Sequence, residues 1–508
     1  MMLQLPRYWN PDILMDDAFI SFRYAENLAS GLGLVFNAGE RVEGYTNFLW
    51  VIILAGARKL GFEIVPTSQV LASMASLATL FSIYLLAKHL FRGRRMPALW
   101  IALPLLAYAA LATHVRYSLS GMETSLFVFL LTWTLLIFVK RGPGWLPGVL
   151  FALTAMTRPE GVMYFGLAWG YAVLVAMQER HKPGWWCDLL WFTLSFGLLF
   201  GGYFLWRYRY FGYLLPNTYY AKAAGFQWAR LERGGEILLE LLSWWPIYAF
   251  WVLAILALFS WRKNRIWLLF LGLNLATYLY FIYVGGDFIV WFGPRFLMPV
   301  LPVLLLAAAE GLANLLENRS LPQKWAAWIG VVTVFVLVWF SYQYTWPNVK
   351  FSPSNYAAQM RSWKETGLWL AANTPRQTVI ATDAAGLIPY YSERETIDMY
   401  GLTDLHIAHL QSDALGQGVV AHERYDPEYV LGRAPDCLVS TWVSPQGIPL
   451  AAGLEAYWPE AAARYELVLL AKVRDGVPQD GRWLVETDQM TPELYEQGYH
   501  TGVFCRPW

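Results

Sequence analysis

Charge is scarce in this 508-residue chain: 15% of its residues are Asp, Glu, Lys or Arg, where soluble proteins carry about 25%. Its 38 Lys and Arg stand against 37 Asp and Glu. That balance lacks the basic surplus of a nucleic-acid binder, so nucleic acid is excluded as a partner. Cysteine is nearly absent. Cys187, Cys437 and Cys505 give neither metal-ligand spacing nor a repeated framework; a Cys437–Cys505 disulfide is open if both lie outside the cytoplasm. No internal repeat, low-complexity tract or signal peptide is visible. What remains is apolar and aromatic, with 57% hydrophobic residues and 27 Trp. This is membrane composition, and the rings suit headgroup-level belts first and sugar-stacking platforms second.

A membrane-crossing helix needs about 20 apolar residues. Long uncharged runs occur at 66–87, 97–113, 124–139, 161–178, 189–206, 241–261, 266–286 and 325–345. Shorter runs at 144–157 and 296–309 bring the expected spans to about ten. Cations gather in alternate loops: Lys88, Arg92, Arg94 and Arg95; Lys140 and Arg141; Arg180 and Lys182; Arg262, Lys263 and Arg265; Arg319 and Lys324. The short loops of opposite parity hold only Arg116, Arg158 and Arg295, and the positive-inside rule puts that second set on the outer face. Residues 47–60 stop at Arg58 and Lys59 after about eleven apolar positions, too few to cross. They read as a helix lying along the outer surface.

Three segments follow: 1–65, an outer-face loop with surface helices; 66–345, a transmembrane helical domain; and 346–508, a soluble α/β domain outside the membrane. In the last, 354–372 has the spacing of an amphipathic helix, and QTVIATD, CLVSTW, ELVLLAKV and RWLVET read as strands.

The densest polar signal precedes the first span. Residues 16–50, DDAFISFRYAENLASGLGLVFNAGERVEGYTNFLW, carry the adjacent carboxylates Asp16 and Asp17 and the string EGYTN at Glu43–Asn47. Further on come SGMET at Ser120–Thr124, TRPEG at Thr157–Gly161, and GGDF and GPRF around Asp287 and Arg295. These five strings, in this order from about residue 12 to 410, resemble the GT-C glycosyltransferases that use lipid-linked sugars. They are most similar to the group that includes the mycobacterial terminal arabinofuranosyltransferase. The resemblance implies a GT-C-like polytopic α-helical fold, a polyprenyl-phosphate-linked sugar donor and a glycan or lipid acceptor. It also implies a bacterial inner-membrane location, with the site and the C-terminal domain on the periplasmic face. In that family a membrane helix with a cytoplasmic start runs into the DD pair. Here only MMLQLPRYWNPDILM precedes it, so the expectation is first a misassigned start, otherwise a truncated chain or an N-terminus exported without that helix.

Moving a sugar from a lipid phosphate to a hydroxyl needs a base for the acceptor proton and cations for the departing phosphate. The resemblance makes Asp16 the candidate base, with Asp17 supporting it or exchanging roles; two adjacent carboxylates in a loop also serve as solvated or capping groups. Arg158 and Arg295, cations at the outer edges of spans, are donor-phosphate candidates, with snorkelling to the interface as the bland alternative. Lys222 in PNTYYAK, with Arg207 and Arg209, extends that set, against headgroup contact.

Glu43, Tyr45 and Asn47 offer the directional groups a polyol requires, or simply the turn and cap before the surface helix. Glu123 completes an S-x-x-E capping box with Ser120, and the cap is its first reading, sugar or acceptor contact the second. Asp287 either pairs with Arg295 or holds the acceptor. His114 has no second ligand nearby, so no metal site is expected; a divalent cation on acidic outer loops stays open. The rival functions are a lipid-linked-sugar transporter or flippase, whose charged sites sit near the bilayer midplane, and an inactive relative acting as a scaffold.

Overall fold

The computed structural model describes residues 14–178, 184–244, 247–260, 264–287 and 295–317, part of 322–336, and 353–507 apart from 413, 474–477, 479–481 and 492. The helical part runs α1 (Asp16–Ala29), α2 (Phe48–Lys59), α3 (Ile64–Leu90), α4 (Pro97–Ala110), α5 (Ala112–Leu119), α6 (Thr124–Arg141) and α7 (Trp145–Thr157). It continues with α8 (Glu160–Gln178), α9 (Trp185–Phe211), α10 (Asn217–Ala223), α11 (Trp228–Trp244), α12 (Ile247–Leu256), α13 (Ile266–Tyr283) and α14 (Leu301–Glu317).

Among the described residues, six segments are long and apolar enough to cross a membrane: α3, α6, α8, α9, α13 and Met298–Glu317. A seventh exists if α4 and α5, bent by 59°, act as one. The described helices therefore account for six or seven of the ten expected spans. The 144–157 run is α7, whose 13 residues reach only about 20 Å at 1.5 Å per residue. The 241–261 run is split between α11 and α12, and most of 325–345 lies outside the described residues.

The long helices invert the pattern of a soluble protein. On α3, Val70, Met74, Leu77 and Phe81 are exposed at helical spacing, while Ser68, Ser76, Thr79 and Ser82 are buried. Water-facing surfaces do not carry such apolar stripes, whereas lipid does not penalise them. The inward hydroxyls are satisfied locally: Thr79, Thr132, Thr154 and Thr277 each donate to the carbonyl four residues back. Small residues bring helices close, as where a Cβ on Gly311 of α14 would stand 1.7 Å from the Leu253 carbonyl oxygen of α12.

Among the described residues, α3 ends beside Lys88 and α6 at Lys140 and Arg141, followed for α3 by Arg92, Arg94 and Arg95. There Arg94 pairs with Glu310 and Glu317 at the far end of α14, and Arg265 donates to Gln178 at the end of α8. SGMET and TRPEG lie at the opposite ends of α6 and α8, Asp287 and Arg295 beyond the corresponding ends of α13 and α14, and the DD and EGYTN strings at the starts of α1 and α2.

The C-terminal part begins with α15 (Pro353–Asn373), followed by β1 (Val379–Thr382), α16 (Leu387–Ser392), β2 (Glu395–Asp398), β3 (Cys437–Ser440), β4 (Glu466–Lys472), β5 (Leu484–Glu486) and β6 (Tyr499–Cys505). They form a six-stranded sheet in the order β2-β1-β3-β6-β4-β5. β2, β1 and β3 are parallel, and the remaining pairings are antiparallel. The helix and four strands read from the sequence are present; β2 and β6 are additions. Cys437 and Cys505 face each other in the β3–β6 register and are disulfide-bonded.

Candidate active site

The five strings, scattered over 280 residues of chain, converge on one cavity of about 620 Å³ between the helix ends and the C-terminal sheet. A buried chain of polar contacts forms part of its wall. Asn47 bonds to Ser21 and donates to Glu123 (2.8 Å). Glu123 accepts from Arg158 (2.8 Å), and Arg158 reaches Glu160 (2.7 Å). The S-x-x-E capping box expected at Ser120–Glu123 is therefore not formed. Glu123 makes no capping hydrogen bond to α6, because a buried guanidinium is a stronger partner than a backbone N–H. Asn47 likewise occupies the N-cap position of α2 without capping it.

Asp16 and Asp17 open α1 and point to different partners. Asp16 Oδ1 accepts from the Leu387 N–H of the C-terminal part at 2.7 Å. Asp17 Oδ2 accepts from Arg295 at 3.0 Å, and Arg295 reaches Asp287 at 3.0 Å with its other face. Asp287 pairs with Arg295, the first of the two readings the sequence left open, and it also lines the cavity. Environments differ accordingly. Burial, with Asp17 adding to it, pushes the Asp16 carboxyl up to about 7 against the pull of the Leu387 hydrogen bond. Burial acts on Asp17 too, but Arg295 and then Lys222 outweigh it and hold Asp17 below the usual carboxylate range.

Among the described residues, seven carboxylates line the cavity (Asp16, Asp17, Glu123, Glu160, Asp287, Asp383 and Asp398) against the cations Arg158, Arg295 and Lys222. Arg158 and Arg295 are each shared by two of the acids. Lys222, on α10, makes no hydrogen bond or close ion pair among the described residues; burial pushes its ammonium down while Asp17 opposes that shift. It is the cation with most capacity left for an incoming anion.

Two expected residues stand behind the wall. Glu43 and Arg207 pair with each other at 2.6 Å, both about 4% exposed, and Arg207 also donates to the carbonyls of Tyr213 and Leu214. That clasp fixes the EGYTN loop against the end of α9 and leaves neither residue for a ligand. Arg209 is exposed on α9 and away from the cavity. Tyr45 lines it, with a buried hydroxyl that has no hydrogen-bond partner among the described residues. No grouping of three His, Cys, Asp or Glu suited to a metal occurs among the described residues.

The C-terminal part supplies wall residues that sequence reasoning missed. Asp383 follows β1 and accepts from both the N–H and the hydroxyl of Thr441; Asp398 ends β2 and accepts from the N–H groups of Tyr400 and Thr403. Burial pushes each carboxyl up to about 6. Both lie at the carboxyl ends of parallel strands, where open sheets present ligand sites, so the final Asp of QTVIATD was the available signal. His422 donates from Nδ1 to the Val420 carbonyl and packs on Tyr400, and no pattern announced it.

Residues 347–492 match a family model described as a domain of unknown function, DUF8728. Over 240 residues the chain is 28% identical to a terminal beta-(1->2)-arabinofuranosyltransferase of Mycobacterium tuberculosis, covering 44% of this chain and 37% of that one. Over 410 residues it is 26% identical to the protein of the same name from Corynebacterium glutamicum, covering 71% and 54%. The chain thus spans about half the length, or less, of these curated relatives. Among solved structures, ArnT from Cupriavidus metallidurans, bound to undecaprenyl phosphate, matches with a TM-score of 0.56 and 12% identity, over 99% of this chain and 96% of that one. The chain has a GT-C fold. The resemblance carried by the five strings is borne out in sequence by the arabinofuranosyltransferases and in architecture by ArnT.

Proposed function

We propose that this GT-C chain is a membrane glycosyltransferase that moves a sugar from a polyprenyl-phosphate donor to a hydroxyl of a glycan or lipid acceptor. The observation that carries the reading is the division of labour at the DD pair. One carboxyl accepts from the Leu387 amide and is pushed up to about 7 by burial, and its neighbour is paired with Arg295 in the same cavity and held below the usual carboxylate range. A general base works best with a pKa near the working pH, which favours Asp16. Its carboxylate takes the acceptor proton as the acceptor oxygen bonds to the anomeric carbon. The bond from that carbon to the phosphate oxygen breaks, and the phosphate leaves with the electron pair beside Lys222 and Arg295, whose charge stabilises it. Asp17 and Asp287 orient Arg295 for this role. Tyr45, Asn47 and Glu123 border the space where the sugar would sit.

The named relatives favour a pentose such as arabinofuranose, and the undecaprenyl phosphate held by ArnT favours a polyprenyl carrier. The site then faces the outside of a bacterial inner membrane, because the cation-rich loops gather at the opposite helix ends and the Cys437–Cys505 disulfide suits an oxidising compartment. Asp16→Asn keeps the carboxylate's shape but cannot take a proton. It is expected to lower transfer by roughly 10²–10⁴-fold with little change in donor affinity, measured with polyprenyl-phosphate arabinofuranose. Parental turnover in that variant would remove Asp16 as the base, and parental turnover in Asp17→Asn as well would remove the DD pair from the chemistry; movement of the lipid-linked sugar with no transfer by the parent would leave the transporter reading the better one.

A further inference from the structure

The segment from Asp16 to Asn37 is stitched to the C-terminal part at three levels. Asp16 Oδ1 accepts from Leu387 N–H at 2.7 Å. Two turns along, the buried Arg23 donates to the carbonyls of Pro389 (2.6 Å), Arg394 (2.7 Å) and Phe36 (2.8 Å). Asn37, which also accepts from Arg23, exchanges bonds with the Thr396 backbone at 2.8 and 3.0 Å. Arg23 thus spends its guanidinium largely on backbone carbonyls, which fixes geometry rather than balancing charge.

At the first level the approach is closest. A Cβ built on Gly386 would stand 2.0 Å from the Asp16 carbonyl oxygen and 2.6 Å from its carboxyl carbon, so only glycine lets the two backbones meet.

We infer that the Gly386–Leu387 corner of the C-terminal domain positions the Asp16 carboxylate, its N–H holding one oxygen so that the other is presented to the cavity. This rests on the reading of Asp16 as the base. The glycosyl-transfer site is then a composite, complete only when the C-terminal domain is seated on α1. Gly386 and Arg23 are positioning residues; neither lines the cavity. The other titratable groups facing Asp16 are Asp17 on α1, Asp383 after β1 and Tyr356 on α15. Asp17 and Tyr356 lie on other elements, and Asp383 is tied to Thr441, so the direct effect of the substitution on the pH profile is through the Leu387 hydrogen bond.

The test compares Gly386→Ala with Gly432→Ala, a control glycine of the same domain with open space around it. In transfer from polyprenyl-phosphate arabinofuranose, Gly386→Ala is expected to lower kcat by about 10²-fold, the cost of an ångström-scale misplacement. Its binding of polyprenyl phosphate should be unchanged. The acid limb of its pH–rate profile should move to higher pH, because a hydrogen bond that favours the charged carboxylate is lost. Parental kcat with a parental pH profile overturns the inference.

Hydrogen exchange at the Leu387 amide decides the same contact without any turnover. It should quicken at least tenfold in Gly386→Ala and stay parental in Gly432→Ala. If Gly386→Ala does not fold, Asp16→Ala removes the same bond from the other side without steric load, and an unchanged Leu387 amide there overturns the inference. Should the parent itself transfer nothing, the functional reading falls, while the exchange result still stands for or against the contact.

Discussion

At the scale of single residues, the adjacent aspartates show how one helix start serves two roles. Successive residues of α1 point about 100° apart, so Asp16 meets the Leu387 amide and Asp17 meets Arg295. If Asp16 is the base, transfer should rise with pH through about 7 as its carboxyl ionises. Asp17→Asn removes a neighbouring negative charge that raises the Asp16 pKa, so the rising limb should move to lower pH. Stability runs the other way: a carboxyl whose pKa is raised by folding stabilises the fold below its unfolded pKa, and that contribution is lost as pH rises through about 7. Asp16→Asn should therefore gain in melting temperature relative to the parent between pH 5 and pH 8.5. The cations differ in a measurable way too. Arg158→Gln leaves the buried Glu123 and Glu160 without the cation they share, and denaturation should show a loss of about 3–5 kcal/mol. Lys222→Gln breaks no close pair, and should keep parental stability while weakening polyprenyl phosphate binding. Equal destabilisation by the two would contradict this division.

At the scale of elements, helices held together in lipid depend on close approach more than on hydrophobic contrast, since lipid is as apolar as leucine. The crossing of α14 on α12 is the tightest example, because the Leu253 carbonyl occupies the space a side chain at 311 would need. Gly311→Ala should cost about 1–3 kcal/mol by overpacking, read as a lowered melting temperature in detergent or nanodiscs. A parental melting temperature would mean that α12 gives way without penalty. α2 illustrates the other limit. Its 12 residues extend about 18 Å, and it buries Trp50, Val51, Leu54 and Ala55 against its neighbours.

At the scale of the whole molecule, the cavity exists because helix ends and a sheet meet. The proposed sidedness can be tested by impermeant cysteine labelling in intact cells, in a Cys187→Ser background that removes the exposed free thiol. A probe at Tyr457, exposed on the C-terminal domain, should label without permeabilisation. A probe at Arg92, in a cation-rich loop, should label only after it. The reverse pattern would put the cavity on the cytoplasmic side and remove the proposed access for an outer-face donor.

The sequence determined the class of the molecule. Apolar runs too long and uncharged for water, with cations in alternate loops, specify helices crossing lipid with two unlike ends, because burial of backbone and charge in hydrocarbon permits little else. It also marked Asp16, Asp17, Arg158, Lys222, Asp287 and Arg295, since carboxylates and cations at span edges are costly unless they are partnered or used. Which of these partner one another was a matter of tertiary structure. Arg207 and Glu43 looked available as isolated letters, yet 164 residues apart in sequence they neutralise each other. Glu123 looked like a cap until Arg158 outcompeted the helix terminus for it. The Leu387 amide, Asp383 and His422 belong to a domain whose own patterning speaks only of strands and helices. Their approach to Asp16 and Asp17 is set by how that domain sits on α1, through hydrogen bonds between residues more than 350 positions apart, which no local periodicity encodes.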